Sequence, residues 1–240
     1  MKFKEGILKV KNAILDALFP DDIKCIFCSR DIPSGYICSH CDQEEIYNNK
    51  NRCVVCDVPL KEGNIICDHC KDKKQARHFK NLYCPFLYDG YVRKSILSFK
   101  SDGAKYLAHP FAYFIAEKLE LAQVEFDLIV PVPSHKDNVK KRGYNPAYVL
   151  AQEISKIMNK PIEDILYKTR RTANQKYLDY TQRQTNLENS MVLLNKSIVN
   201  NKNILIVDDI ITTGATIEAC AKLMPKAKSI YGCAIARRGI

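Results

Sequence analysis

The chain has 240 residues, 37 Lys and Arg against 27 Asp and Glu, a net charge of +10, and 46% hydrophobic residues. That length holds one ordinary α/β domain beside a small metal module. No stretch of about 20 apolar residues occurs, so no membrane-spanning helix is expected.

The charge is uneven. Residues 1–78 carry 13 Lys and Arg against 12 Asp and Glu, net +1, whereas residues 79–240 carry 24 against 15, net +9. Thiolates ligating zinc would make the first part more negative still. A basic second part suits a polyphosphate or a nucleic-acid backbone, or serves solubility alone.

Residues 5–19 read as an amphipathic helix, with Ile7, Val10, Ile14, Leu15 and Leu18 near one face and Phe19-Pro20 ending it. Such a helix is expected to dock on its own protein, and a peripheral lipid contact is the alternative.

Eleven cysteines follow, eight of them in four C-x-x-C pairs: Cys25/Cys28, Cys38/Cys41, Cys53/Cys56 and Cys67/Cys70. Two-residue spacing lets two thiolates converge on one tetrahedral zinc, and two such knuckles complete a four-cysteine site. The gaps repeat, nine residues between the first two pairs and ten between the second two, with Gly35 and Gly63 in between. The reading is a duplicated module spanning 20–78 with two structural zinc ions. Sequential pairing of the knuckles is favoured and a cross-braced pairing is the alternative. A chain that opens Met-Lys-Phe-Lys-Glu without a long apolar signal is expected to be cytoplasmic, where paired cysteines favour metal over disulfide. His40 and His69 lie inside the second knuckles and are read as exposed bystanders.

From residue 79 onward, strands alternate with helices. A strand and turn are expected from Phe86, helices over 92–97 and 104–121, and a buried strand over 127–132. The run 131–145 reads as a basic, non-helical loop after that strand, crowded by Lys136, Lys140, Lys141 and Arg142. A helix over 146–158 follows, with Asn145 as N-cap and Pro146 at its first position. Residues 170–187 are rich in Arg, Asn, Gln and Tyr; guanidinium groups interleaved with aromatics suit single-stranded nucleic acid, and a plain surface excursion is the alternative. Strands at 190–194, 204–207 and 229–235 complete a mainly parallel sheet covered on both faces.

The most informative run is Ile204-Leu-Ile-Val-Asp-Asp-Ile-Ile-Thr-Thr-Gly-Ala-Thr-Ile217. A buried strand closes on Asp208 and Asp209, and a Thr-rich turn opens a helix. Backbone N–H groups at such a turn, with the helix dipole, suit a phosphate. Thr212, Thr213 and Thr216 add hydroxyl donors, and Gly214 lets the backbone approach closely. The carboxylates suit sugar hydroxyls or a hydrated magnesium ion.

This run resembles the ribose-phosphate signature of type I phosphoribosyltransferases, which bind phosphoribosyl pyrophosphate (PRPP) with magnesium. Over residues 20–238 the chain resembles the ComF family of bacterial natural transformation. The resemblance rests on the paired knuckles, Tyr88-Asp-Gly-Tyr-Val-Arg-Lys-Ser-Ile96, Phe99-Lys100 and Pro131-Val-Pro133. It continues through Arg142-Gly-Tyr-Asn145, the Asn174-Gln175, Leu178, Arg183 and Asn186 run, and the signature. Pro146 stands where Gln is expected, and Ile210-Ile211 fills positions often held by Val and a variable residue.

The resemblance implies a type I phosphoribosyltransferase-like α/β domain over 79–240, a parallel sheet flanked by helices, behind an N-terminal zinc-ribbon-like module. It implies PRPP on Asp208, Asp209, Thr212, Thr213, Gly214, Ala215 and Thr216, with magnesium. Ser134, His135, Lys136 and Arg142 would form a pyrophosphate loop, Lys136 and Arg142 being the candidates to stabilise a departing pyrophosphate. It further implies handling of single-stranded DNA during transformation, beside a competence helicase and recombination proteins. Lys140, Lys141, Arg142, Arg170, Arg171, Tyr177 and Arg183 are the candidate nucleic-acid contacts. The alternative is an active phosphoribosyltransferase with a nucleobase or amine acceptor, for which no base-binding hood or nucleophile-activating group is recognised.

Overall fold

The computed structural model describes residues 23–43, 46–48, 51–72, 77–101, 103–169 and 190–239. The amphipathic pattern at 5–19 and the polar segment at 170–187 lie outside these residues. Two compact units divide the chain, Met1–Glu44 and Glu45–Ile240.

In the first unit, Lys24 and Asp31 form an antiparallel bridge across the first knuckle. Ser29 turns the chain at φ 59°. Its N–H donates to the Cys25 carbonyl at 2.9 Å, and the Cys25 N–H to the Arg30 carbonyl at 2.8 Å. Helix α1 (Ser39–Gln43) begins beside Cys38.

The second unit opens with the same construction. Arg52 and Pro59 bridge, and Asp57 turns at φ 58°. Asp57 N–H donates to Cys53 at 2.9 Å and Cys53 N–H to Val58 at 2.9 Å. Helix α2 (Asp68–Lys71) follows Cys67. The duplicated cysteine spacing is thus a duplicated backbone.

Sequence spacing groups both ribbons over 20–78, whereas the division into compact units falls between them. The reason is apolar. Val58 is buried with Phe79, Leu82 and Cys84, and Val55, Leu60 and Ile66 pack on the same cluster. The ribbon is also hydrogen-bonded to the chain just after it, Leu82 N–H to the Val55 carbonyl at 2.8 Å and Asn81 Nδ2 to the Val54 carbonyl at 2.7 Å.

Strands β1 (Leu82–Tyr83) and β2 (Phe86–Leu87) lead to helix α3 (Gly90–Ser101). The helix expected over 104–121 is a 3-10 turn at Lys105–Leu107 running into α4 (Ala108–Leu121). Strand β3 (Leu128–Pro131) is wholly buried.

The basic run after β3 is not a loop. Lys136–Arg142 is helix α5. His135 caps it, its Nδ1 accepting from the Asp137 N–H at 3.3 Å. Asp137 lies in the first turn and Lys140, Lys141 and Arg142 in the last, the order the helix dipole favours. Gly143, at φ 82°, ends it with a left-handed cap. Those basic residues stabilise a helix end, which is why a reading based on charge density misses the element.

Helix α6 (Pro146–Met158) has the expected bounds and cap, Asn145 Oδ1 accepting from the Ala147 N–H at 3.2 Å. Strands β4 (Leu166–Lys168) and β5 (Met191–Leu193) pair antiparallel. Then come β6 (Asn203–Val207), β7 (Ile210–Ile211), α7 (Ala215–Lys222), β8 (Ser229–Cys233) and β9 (Ala236–Arg237).

The main sheet runs β1-β8-β6-β3 with every pairing parallel. A second parallel sheet, β2-β9-β7, continues it beyond the strand ends. Side chains alternate between faces along each strand. Leu128, Val130, Ile204, Ile206 and Ile230 join a core cluster with Ile217, Cys220 and Ala221 of α7, Met191 and Leu193 of β5, and Cys53, Cys56 and Cys67 of the second ribbon. The intervening Ile129, Leu205 and Val207 are equally buried, and α6 packs on β3 and β6. Both faces of β6 are covered, as its unbroken apolar sequence requires.

Candidate functional site

Strands β3 and β6 end side by side, with Pro131 opposite Val207. The segments leaving these two strand ends form the walls of one cavity of about 350 Å³. From β3 come Pro133, Ser134 and His135, and Asn138 of α5. From β6 come Asp208, Asp209, Thr212, Gly214 and Thr216. Tyr88, Lys100, Asn145, Lys168 and Arg238 close the sides. The volume lies in the range of small-molecule sites.

The acidic pair is held by backbone contacts. Asp208 N–H donates to the Cys233 carbonyl at 2.9 Å, and Ile235 N–H to the Asp209 carbonyl at 3.2 Å. The Asp209 N–H in turn donates to Asp208 Oδ1 at 2.8 Å. Lys100 Nζ reaches Asp209 Oδ1 at 2.7 Å. Burial pushes the Asp208 carboxyl up to about 7, and the neighbouring Asp209 adds to that, against the pull of Lys100 and Lys168. Lys168 is itself lowered by burial. One carboxylate is therefore paired, and the other is poised to exchange a proton near neutrality.

The loop after the pair shapes the floor. Gly214 sits at φ 84°, and a Cβ there would lie 3.2 Å from Leu82 Cδ1. Thr213 Oγ1 accepts from the Ala215 N–H at 3.3 Å, just before α7, whose N-cap is Gly214. Thr212 and Thr216 line the cavity; Thr213 and Ala215 do not. The expected residues Ser134, His135, Asp208, Asp209, Thr212, Gly214 and Thr216 are thus brought together. Lys136, Lys140, Lys141 and Arg142 lie on α5, and none of them lines the cavity. Arg170, Arg171, Tyr177 and Arg183 lie outside the described residues.

Sequence reasoning misses Lys100, Lys168 and Arg238 as site residues. Lys100 closes the amphipathic helix α3, Lys168 ends an edge strand, and Arg238 follows β9. None carries a local signal, because each reaches the cavity through tertiary packing. Phe99-Lys100 does stand among the residues of the family resemblance, the one available hint.

The cysteines form two separate groups, Cys25/Cys28/Cys38/Cys41 and Cys53/Cys56/Cys67/Cys70, with the sulfurs of each within 4.8 Å of one another. The knuckles are therefore paired sequentially, and the cross-braced alternative is set aside. Cys28 and Cys38 sulfurs are 3.5 Å apart, Cys56 and Cys67 3.7 Å. Those separations are too long for a disulfide at about 2.05 Å. They fit the edge of a zinc tetrathiolate, about 3.8 Å for Zn–S bonds of about 2.3 Å. Backbone N–H groups already face the sulfurs, Cys41 to Cys38 Sγ and Cys67 to Cys53 Sγ, both at 3.4 Å. The first of these holds the Cys38 thiol down at about 6. Eight cysteines thus suit two structural zinc ions with closed coordination.

A family model described as phosphoribosyl transferase domain matches residues 105–236, and one described as double zinc ribbon domain matches residues 14–71. Competence protein F of Haemophilus influenzae is 33% identical over 102 residues, covering 42% of this chain and 44% of that protein. DNA utilization protein YhgH of Escherichia coli K12 is 26% identical, covering 83% of this chain and 89% of that protein. Competence protein ComFC of Bacillus subtilis 168 is 22% identical, covering 93% and 92%. Among solved structures, a purine phosphoribosyltransferase from Pyrococcus horikoshii overlaps 55% of this chain and 74% of its own at a TM-score of 0.36 and 17% identity.

The parallel sheet, the acidic strand end and the Thr-rich loop define a type I phosphoribosyltransferase-like domain that carries zinc ribbons. The chain belongs to the phosphoribosyl transferase domain family and, within it, to the ComF family of competence and DNA utilization proteins. Among the described residues, no helix is long and apolar enough to cross a membrane.

Proposed function

We propose that the chain handles single-stranded DNA as a competence-type accessory protein, and that its cavity takes PRPP or a related sugar phosphate with magnesium. The observation that carries the reading is that Asp208 and Asp209 line one cavity with Thr212, Gly214 and Thr216 of the loop that follows them. The loop and the start of α7 suit the 5-phosphate, and the carboxylates suit ribose hydroxyls. The names of its relatives, competence protein and DNA utilization protein, support the DNA role.

A magnesium ion would neutralise pyrophosphate charge when bound with the ligand. The residues present fit it in part. Asp208 and Asp209 supply the hard oxygen donors it requires, and Lys100 already occupies one oxygen of Asp209. Lys100 and Lys168 line the cavity and suit pyrophosphate oxygens. Lys136 and Arg142, on α5 just past His135, serve as outer electrostatic support in this reading.

Lys140, Lys141 and Arg142, at one helix end, form the described part of the DNA-binding surface. Arg170, Arg171, Tyr177 and Arg183 are the further candidate contacts, by stacking on bases and pairing with phosphates. A helicase and recombination proteins are the partners this role calls for.

A transferase reading, with a nucleobase or amine as acceptor, draws support from Asp208, whose carboxyl at about 7 is matched to proton transfer at neutral pH. In that reaction the C1–pyrophosphate bond breaks, the acceptor nitrogen bonds to C1, and its proton passes to Asp208. Lys100 and Lys168 stabilise the leaving pyrophosphate.

Fluorescence anisotropy of a labelled oligo-dT, with and without PRPP and magnesium, tests the function. Binding that weakens steeply with salt supports the DNA role. No binding at low salt sinks it. Pyrophosphate release with a panel of nucleobases and amines decides the transferase reading.

A further inference from the structure

Glu218 is a buried carboxylate in the first turn of α7, the helix whose start suits the ligand phosphate, and its side chain is 8% exposed. Both of its oxygens are taken by one residue far away in sequence. Oε1 lies 2.6 Å from His78 Nδ1, and Oε2 accepts from the His78 N–H at 3.0 Å. An ionised carboxylate only accepts, so the His78 ring carries a proton on Nδ1.

His78 reaches Glu218 from a fixed base. Arg77 Nη2 donates to the His69 carbonyl of the second ribbon at 2.7 Å, and the Lys80 N–H donates to the Ile230 carbonyl of β8 at 2.7 Å. The residues that follow lie against the Thr loop. A Cβ on Gly214 would meet Leu82 Cδ1 at 3.2 Å and Phe79 Cζ at 3.8 Å.

The place of Glu218 on the helix sets up a competition. The first four N–H groups of a helix have no partner within it. In α7 the first intrahelical bond is that of the Glu218 N–H to the Gly214 carbonyl, at 2.9 Å. The Ala215 N–H goes to Thr213 Oγ1. The N–H groups of Thr216 and Ile217, two residues that line the cavity, are left for a phosphate. Helical side chains point back toward the N-terminus, and a carboxylate there is drawn to the same N–H groups and the same end of the dipole. A first-turn Glu without a partner therefore folds back onto the donors that the phosphate needs.

We propose that His78 is a positioning residue for phosphate binding. By holding both oxygens of Glu218 it keeps that carboxylate off the start of α7, and the N–H groups there stay open to the 5-phosphate of the ligand. The ligand half of the inference rests on the sugar-phosphate reading.

The test uses the full chain, with PRPP and magnesium as titrant. His78→Ala releases Glu218, and PRPP affinity is expected to fall about tenfold, toward the upper range for a charge at a helix end. Glu218→Gln on that background removes the competing charge and is expected to bring affinity back to within about twofold of native. A pair that only braces the fold behaves differently, since a chain lacking both partners binds no better than His78→Ala. That result overturns the proposal, as does unchanged affinity in His78→Ala.

Amide hydrogen exchange of the ligand-free chain reads the same competition without PRPP. Exchange at Thr216 and Ile217 is expected to slow in His78→Ala, because the released carboxylate covers those N–H groups, and to return to the native rate in the double variant. Faster or unchanged exchange there in His78→Ala overturns the proposal. The nitrogen spectrum of the native His78 ring covers the case in which a variant fails to fold. A proton on Nδ1 is expected, and a ring without one overturns the pair. Native protein that binds no PRPP refutes the sugar-phosphate reading alone, because exchange and the ring proton still decide whether His78 keeps Glu218 off the helix start.

Discussion

If the cavity takes PRPP as proposed, Asp208 should make that binding depend on pH. Its carboxyl is raised to about 7. A ribose hydroxyl donates best to an ionised carboxylate, so the binding-competent fraction follows the ionisation of Asp208. For a group at about 7, that fraction is about one-tenth at pH 6 and about nine-tenths at pH 8. Apparent affinity scales with the competent fraction, so PRPP should bind about tenfold tighter at pH 8 than at pH 6, about 1.4 kcal/mol. The ligand's own phosphate ionises near pH 6 and adds to the trend. Asp208→Asn keeps Asp209 and the ligand's ionisation but lacks the titrating group. Calorimetric titrations at pH 6, 7 and 8 on both proteins isolate the Asp208 contribution. Lys100 pulls the Asp208 carboxyl down, so Lys100→Met should move the midpoint to higher pH. Parallel pH profiles for native protein and Asp208→Asn would refute the reasoning, as would affinity that falls with rising pH.

Stability should run the other way. The native Asp208 carboxyl is raised above its unfolded value of 3.8, so the folded chain binds more protons between about 4 and 7 and loses stability as pH rises through that window. Asp208→Asn should therefore raise the melting temperature more at pH 8 than at pH 5, measured at constant zinc. Gly214→Ala forces a side chain onto φ 84° and toward Leu82 at 3.2 Å. It should cost about 1–2 kcal/mol in denaturant unfolding and weaken ligand binding. Elemental analysis should give two zinc ions per chain, falling to one in Cys25→Ser. Changing Lys140, Lys141 and Arg142 together to Ala should flatten the log–log salt dependence of single-strand binding by up to about 2, at about 0.7 per lost phosphate contact. Tyr177→Ala should weaken that binding without changing the slope.

The sequence and the structure agree where information is local. Helix α6 carries its own start signals, Asn145 and Pro146, and its bounds match from Pro146 to Met158. The unbroken apolar run of β6 marks a strand buried on both faces, and the cysteine spacing marks the two clusters. Helix α5 escapes a reading that weighs its basic residues only as charge. Their order, Asp137 first and Lys140, Lys141 and Arg142 last before Gly143, is the local signal of a helix. The site divides similarly. Asp208, Asp209 and the Thr loop announce themselves within a few residues. Lys100 meets Asp209 only when α3 packs beside the strand ends. Ribbon spacing is likewise silent on packing; the apolar contacts of Val58 with Leu82 and Cys84 are what join the second ribbon to the sheet.

The central claim is that the acidic pair and Thr loop hold a sugar phosphate. Isothermal titration of zinc-loaded protein with PRPP and magnesium tests it most directly, with the Asp208→Asn, Asp209→Asn double variant alongside. The account predicts saturable one-to-one binding to the native chain and none to a double variant whose fold and zinc content are intact. No binding to the native chain, or equal binding to the double variant, would contradict it.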